Sequence, residues 1–233
     1  MMTLNVLFIP GLGGDAQMWT AVGKAMSPQL KLHYASVLKG KSVTQLARSI
    51  LKDAPERFVV VGFSLGGWVA MAMANIAPER VLGLGLISTT DGTMSHQTIA
   101  AMKASQKQII EQGLNSVVEQ SLSHYFTQED RHCDSIIDTY QAMMLRVGAE
   151  VCMAQYQVII DFHGPMPFLS AISCPALVIR GEQDERIPLS ISQDLCQAIP
   201  LSQYEVIDDS SHYVPLSQPQ SVANCLNQWL SHL

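Results

Sequence analysis

Four runs of this chain are rich in Val, Ile, Leu or Phe and end at glycine, proline or serine: Thr3–Ile9, Phe58–Val61, Val81–Ser88 and Ala176–Arg180. A strand with water on one side alternates apolar and polar residues, whereas a strand covered on both sides reads as a continuous apolar run. These four runs therefore predict parallel strands buried between helices. Lys31–Ser36 and Gln203–Ile207 are weaker strand candidates. The intervening stretches carry helix signals. Ser42 followed by Gln45 is a capping-box pattern for a helix through Lys52, and the alanine-rich run after Ser64 reads as a helix ending at Ala77-Pro78. Strand and helix alternate, which predicts an α/β fold with a mostly parallel central sheet flanked by helices. At 233 residues, 48% of them hydrophobic, residues 1–233 are read as a single domain with one core.

The alternation stops between residues 96 and 168, where no strand pattern occurs and helical periodicity is strong. Thr127 with Asp130 is read as opening a helix whose Ile136, Ile137, Tyr140, Met143, Met144 and Val147 share one face, closed by Gly148. Residues 96–168 are expected to form a helical cap, inserted after the strand at 81–88 and packed against the sheet edge.

Acidic residues (20) outnumber Lys and Arg (14), the formal charge is −6 and no basic run occurs. That excludes nucleic-acid partners. The apolar stretch Val6–Ile9 has no basic residues before it and runs into Pro10-Gly11, too short for a membrane span and wrongly flanked for a signal peptide. A soluble, cytoplasmic protein with no membrane partner is expected. Five cysteines (Cys133, Cys152, Cys174, Cys196 and Cys225) show neither close pairing nor metal-type spacing, so no disulfide framework and no metal site are expected.

The strongest chemical signal is Gly62-Phe63-Ser64-Leu65-Gly66-Gly67, between a buried strand and a helix. A serine there sits on a strained turn at a helix N-terminus, which favours developing negative charge. A serine hydroxyl attacks only when a base takes its proton, and the base needs an orienting acid. Asp184 follows the strand Ala176–Arg180, at a carboxyl edge where α/β sites gather. His212 lies in the loop after the last weak strand. Asp91, after the strand Val81–Ser88, is the alternative acid. His163, beside Gly164-Pro165, is the alternative base. Pro10-Gly11-Leu12-Gly13-Gly14 is glycine-rich, but no Lys-Ser or Lys-Thr follows it, so it is not a phosphate loop.

In these residues the chain resembles the α/β-hydrolase fold family, and within it the small capped serine hydrolases of the carboxylesterase and menaquinone-pathway lyase type. The order Ser64, Asp184, His212 matches the family's order of nucleophile, acid and base. The resemblance implies an oxyanion hole from the backbone N–H groups of Leu12 and Leu65. Many members begin that loop with His-Gly; here the pair is Pro10-Gly11. It further implies hydrolysis of a small carboxylic ester through an acyl-enzyme, with no cofactor. The same residues also serve carbon–carbon hydrolysis or elimination within the family, and a slow or non-catalytic ligand-binding protein would keep the fold. Trp19, Met143, Met144 and Arg146 are expected to line the substrate pocket. The segment 96–168 holds eight acidic and four basic side chains. Neutral esters are therefore expected to be preferred unless Arg146 or Arg131 points alone into the pocket.

Overall fold

In the computed structural model, which describes residues 3–36 and 39–233, six strands form one sheet: β1 (Asn5–Ile9), β2 (Lys31–Tyr34), β3 (Phe58–Phe63), β4 (Val81–Ile87), β5 (Ala176–Gly181) and β6 (Ser202–Ile207). Their spatial order is β2-β1-β3-β4-β5-β6, and every pairing is parallel. All residues of β3 and β5 are buried, while the outer strands β2 and β6 mix exposed and half-buried positions. This difference explains why the central strands stand out in the sequence and the outer ones read weakly.

The helices are α1 (Thr20–Ala25), α2 (Val43–Asp53), α3 (Leu65–Ile76), α4 (His96–Gln112), α5 (Leu114–Tyr125), α6 (Asp134–Val147), α7 (Ala149–Ile160), α8 (Leu189–Ala198), α9 (Val214–Ser217) and α10 (Pro219–Leu230). Ser42 caps α2 by accepting the Gln45 N–H, while the Gln45 side chain accepts the Lys41 N–H. Two helices mark the two faces of the sheet. A Cβ on Gly62 of β3 would strike the backbone of Gly66 in α3, so Gly62 faces α3. Gly62 is paired with Leu86. Gly83 and Gly85 are an odd number of residues from Leu86 and face the other way, where Gly83 meets Trp229 of α10. Among the described residues no helix is long and apolar enough to cross a membrane.

From β1 the chain builds β2 on one side and then β3 on the other. A crevice therefore opens beyond the carboxyl ends of β1 and β3, the switch point where such sheets bind ligands. The loop Pro10–Gly14 and Ser64 both lie there.

Helices α4–α7 connect β4 to β5, which are neighbours inside the sheet rather than edge strands. The helices accordingly do not pack beside an edge, as the sequence suggested. Residues of α4, α5 and α7 roof the loops at the strand carboxyl ends. The start of α6 also differs from expectation. Thr127 and Asp130 do bond reciprocally, Thr127 Oγ1 accepting the Asp130 N–H and Asp130 Oδ2 accepting the Thr127 N–H, both at 3.1 Å. They frame only a short 3-10 turn, Asp130–His132. Cys133 is extended and interrupts the helix, so α6 begins at Asp134 and ends at Gly148, with φ of 84°.

Candidate active site

Ser64 adopts φ 50° and ψ −117°, a region that a residue bearing a Cβ enters only under strain. Such a conformation costs about 1–3 kcal/mol and persists only when its surroundings fix it. Three hydrogen bonds do so: Ser64 N–H donates to the Ile87 carbonyl at 2.9 Å, and the Ser64 carbonyl accepts from Gly67 N–H at 2.9 Å and Thr89 Oγ1 at 2.8 Å. The flanking glycines are required by close approach. Side chains at Gly62 and Gly66 would meet, respectively, the α3 backbone and the carbonyls of Ile9 and Pro10. The result is a half-buried hydroxyl at the start of α3.

His212 is 5% exposed and Asp184 1%. The His212 Nε2 lies 3.3 Å from Ser64 Oγ, and its Nδ1 lies 3.0 Å from Asp184 Oδ2. The other Asp184 oxygen accepts the N–H groups of Arg186 at 2.9 Å and Ile187 at 3.0 Å. Burial alone pushes the Asp184 carboxyl up. The His212 ring, its hydrogen bond and the two backbone donors outweigh burial and hold the carboxyl below the ordinary carboxylate range. Phe63 and Tyr125 hold the imidazole from the side, with centroids 5.1 and 5.4 Å away.

Arg180, inside β5 and without any local motif to mark it, fastens the loop that carries Asp184. Its buried guanidinium donates to the carbonyls of Ile187 (3.1 Å), Glu182 (2.8 Å) and Asp184 (2.8 Å). Three carbonyls that would otherwise turn inward unpaired are thereby satisfied by one side chain. The alternative site residues do not take part. Asp91 spends its carboxylate on the Thr93 N–H and hydroxyl, and His163 is exposed.

Ser64 and His212 open into a cavity of ≈ 540 Å³ shared with Leu12, Leu65, Trp68 and Arg186. Residues 54–219 match the α/β hydrolase fold family. The chain belongs to that family. The pimeloyl-[acyl-carrier protein] methyl ester esterase of Vibrio vulnificus is 24% identical to it over 95% of this chain and 92% of that protein. A thermophilic esterase from Thermogutta terrifontis superposes with a TM-score of 0.87 at 23% identity, over 98% of this chain and 90% of the other. The enol-lactonase of Burkholderia xenovorans LB400 gives 0.89 at 20% identity, over 99% and 92%. With esterases and hydrolases throughout this company, the protein is an enzyme of the α/β-hydrolase kind.

In this α/β-hydrolase the loop after β1 is braced without the His-Gly pair. Gly13 N–H donates to the buried Gln155 Oε1 of α7 at 2.7 Å, Gly14 N–H donates to the Gly11 carbonyl at 3.1 Å, and Tyr213 Oη reaches the Leu12 carbonyl at 3.4 Å. Leu12 lines the cavity opposite Leu65, the first residue of α3, whose N–H is one of those a helix leaves without an internal acceptor.

The four residues expected to line the pocket lie elsewhere, because α6 packs on the 16–19 turn and α9 while the roof is built by α4, α5 and α7. Trp19 is wholly buried against Phe8, 4.9 Å between centroids. Met143 and Met144 are buried in the core, with Met144 against Gly13. Arg146 pairs with Asp15 at 2.9 Å, away from the cavity. Among the described residues no cluster of His, Cys, Asp and Glu could hold a metal ion.

Proposed function

We propose that this enzyme is a serine esterase acting on a small carboxylic ester through Ser64, His212 and Asp184. The reading is carried by the continuous contact from Ser64 Oγ to His212 to Asp184, 3.3 and 3.0 Å, on the floor of a cavity. His212 Nε2 takes the Ser64 proton as Oγ attacks the ester carbonyl carbon. Asp184 holds Nδ1–H, fixing the tautomer and stabilising the imidazolium. The Leu12 and Leu65 N–H groups receive the oxyanion. His212 then gives the proton to the departing alcohol, and an acyl group remains on Ser64. Water, deprotonated by His212, repeats the attack and frees the acid.

The names of the relatives support an ester as substrate class, since they include a methyl ester esterase and a lactonase. The test is Ser64→Ala. It should lower kcat on an activated ester by at least about 10³-fold, as loss of a triad nucleophile does, with unchanged melting temperature. A fluorophosphonate should label Ser64 in the wild type only. Retention of a tenth of wild-type kcat/KM by Ser64→Ala removes the serine from the mechanism.

A further inference from the structure

Two cavities meet above the site, and neither is lined by a carboxylate, although acid is in excess over the whole protein and in the inserted helices. The second, ≈ 700 Å³, lies under α4 and α5 and is lined by Ser105, Gln108 and Gln120 among others. A cation stands at the junction. Arg186 lines both cavities together with Met102, Tyr125 and Tyr156. Its guanidinium carbon lies 5.5 Å from the Tyr125 ring centroid, and the same ring packs on His212.

The other arginines with recorded partners use their side chains on protein groups: Arg80 and Arg180 on carbonyls, Arg131 on the Thr127 carbonyl, Arg146 on Asp15. Arg186 is half-buried, and its guanidinium makes no hydrogen bond or ion pair with any described residue; only its backbone N–H is engaged, by Asp184. The contact with the Tyr125 ring holds the cation at the junction and uses none of its N–H donors. Beside it, burial pushes the Tyr156 phenol up, against the pull of the Arg186 cation, so that phenol stays a hydrogen-bond donor.

We propose that Arg186 is a specificity-determining residue that receives a carboxylate on the substrate. The ester presented to Ser64 is then a carboxylate-bearing one, such as the half-ester of a dicarboxylic acid. The proposal rests on the esterase reading of Ser64. A carboxylate accepts two parallel N–H bonds from a guanidinium fork, and a neutral tail would leave that half-buried cation without a partner. The acidic surface of the inserted helices does not decide the matter. Exposed charges are screened over about 8 Å at physiological salt, whereas a cation inside the cavity is screened far less.

The experiment compares p-nitrophenyl half-esters of dicarboxylic acids with p-nitrophenyl esters of monocarboxylic acids of equal, graded chain length. At the best length the wild type should favour the half-ester by about tenfold or more in kcat/KM, mainly through KM, the scale expected when one charged contact is gained. Arg186→Gln should collapse that ratio, and Arg186→Lys should keep part of it. A wild-type preference for the neutral ester, or a ratio unchanged by Arg186→Gln, overturns the proposal. Faster turnover of an ester with a phosphate-terminated tail overturns the choice of carboxylate. Glutarate binding measured by calorimetry does not depend on turnover: it should be present in the wild type and lost in Arg186→Gln, and its absence from the wild type or persistence in the variant overturns the proposal. Fluorophosphonate labelling of Ser64 reports separately on the esterase reading.

Discussion

The loops at the carboxyl ends of the strands and the helices α4–α7 meet across one cavity but are held by different means. On the loop side polar bonds converge: three fix the backbone of Ser64, three N–H and ring N contacts surround the Asp184 carboxylate, and Arg180 ties the acid loop through three carbonyls. The helices contribute rings and apolar side chains to the cavity, such as Met102, Tyr125 and Ile159. Their polar bonds to the loop after β1 include Gln155 to Gly13 and Arg146 to Asp15. Directional bonds set positions to tenths of an ångström, as proton transfer demands, whereas apolar packing sets shape. On the esterase reading, the contrast assigns bond-making to the loops and the shape of the substrate space to the helices, with Arg186 a loop residue that reaches beneath them.

The sharpest way to break this division is to remove the acid without changing its shape. Asp184→Asn should lower kcat by about 10³–10⁴-fold, since an amide disfavours the required His212 tautomer. Asp91→Asn should stay within about twofold, because among the described residues the Asp91 carboxylate bonds to Thr93 alone and such local surface turns contribute little. The reverse ranking in steady-state assays would move the acid to the end of β4.

A second variant probes a buried point where the two regions touch through a polar bond. Gln155→Leu removes the acceptor for Gly13 N–H, and a buried donor left alone costs about 1–3 kcal/mol. Denaturant melts should show that loss, and kcat should fall about tenfold as the neighbouring Leu12 N–H shifts, the scale set by small displacements of positioning groups. A lowered stability with unaltered kcat would make the two regions mechanically independent.

The smallest effect is one of acidity. The folded-state pKa of Asp184 lies below its value in the unfolded chain, about 3.9. Its contribution to stability is therefore complete above that pH and disappears as pH falls through the folded value. The gap in melting temperature between wild type and Asp184→Asn should narrow below about pH 4. A gap that widens there would show that burial, not His212, governs this carboxyl.

What could be read from the sequence follows the same division. β3, β4 and β5 stand out because both their faces are covered, and Ser64, Asp184 and His212 are legible because each lies in the turn or loop after a strand. Residues whose partners lie far along the chain left no signal. Gln155 meets Gly13 across 142 positions, and nothing local to either residue announces it. Arg186 stands two residues from Asp184, yet only its backbone N–H serves Asp184 while the guanidinium turns to Tyr125. Met143, Met144 and Arg146 were drawn toward the cavity because the sequence does not say which helix of the segment forms the roof.

The placement of α4–α7 between two hydrogen-bonded strands has a consequence for how such an enzyme can change. The Met166 N–H donates to the Asp91 carbonyl at 2.9 Å, and Gly164 packs on the backbone of Gly92, so the helical excursion departs and returns within one hydrogen bond of the same place above β4. Lengthening a connection whose ends already meet costs only about 0.6 kcal/mol per doubling. The segment can thus be exchanged like a cassette for another of different length, giving Ser64 a different roof, provided the replacement again offers Gly13 an acceptor where Gln155 now stands.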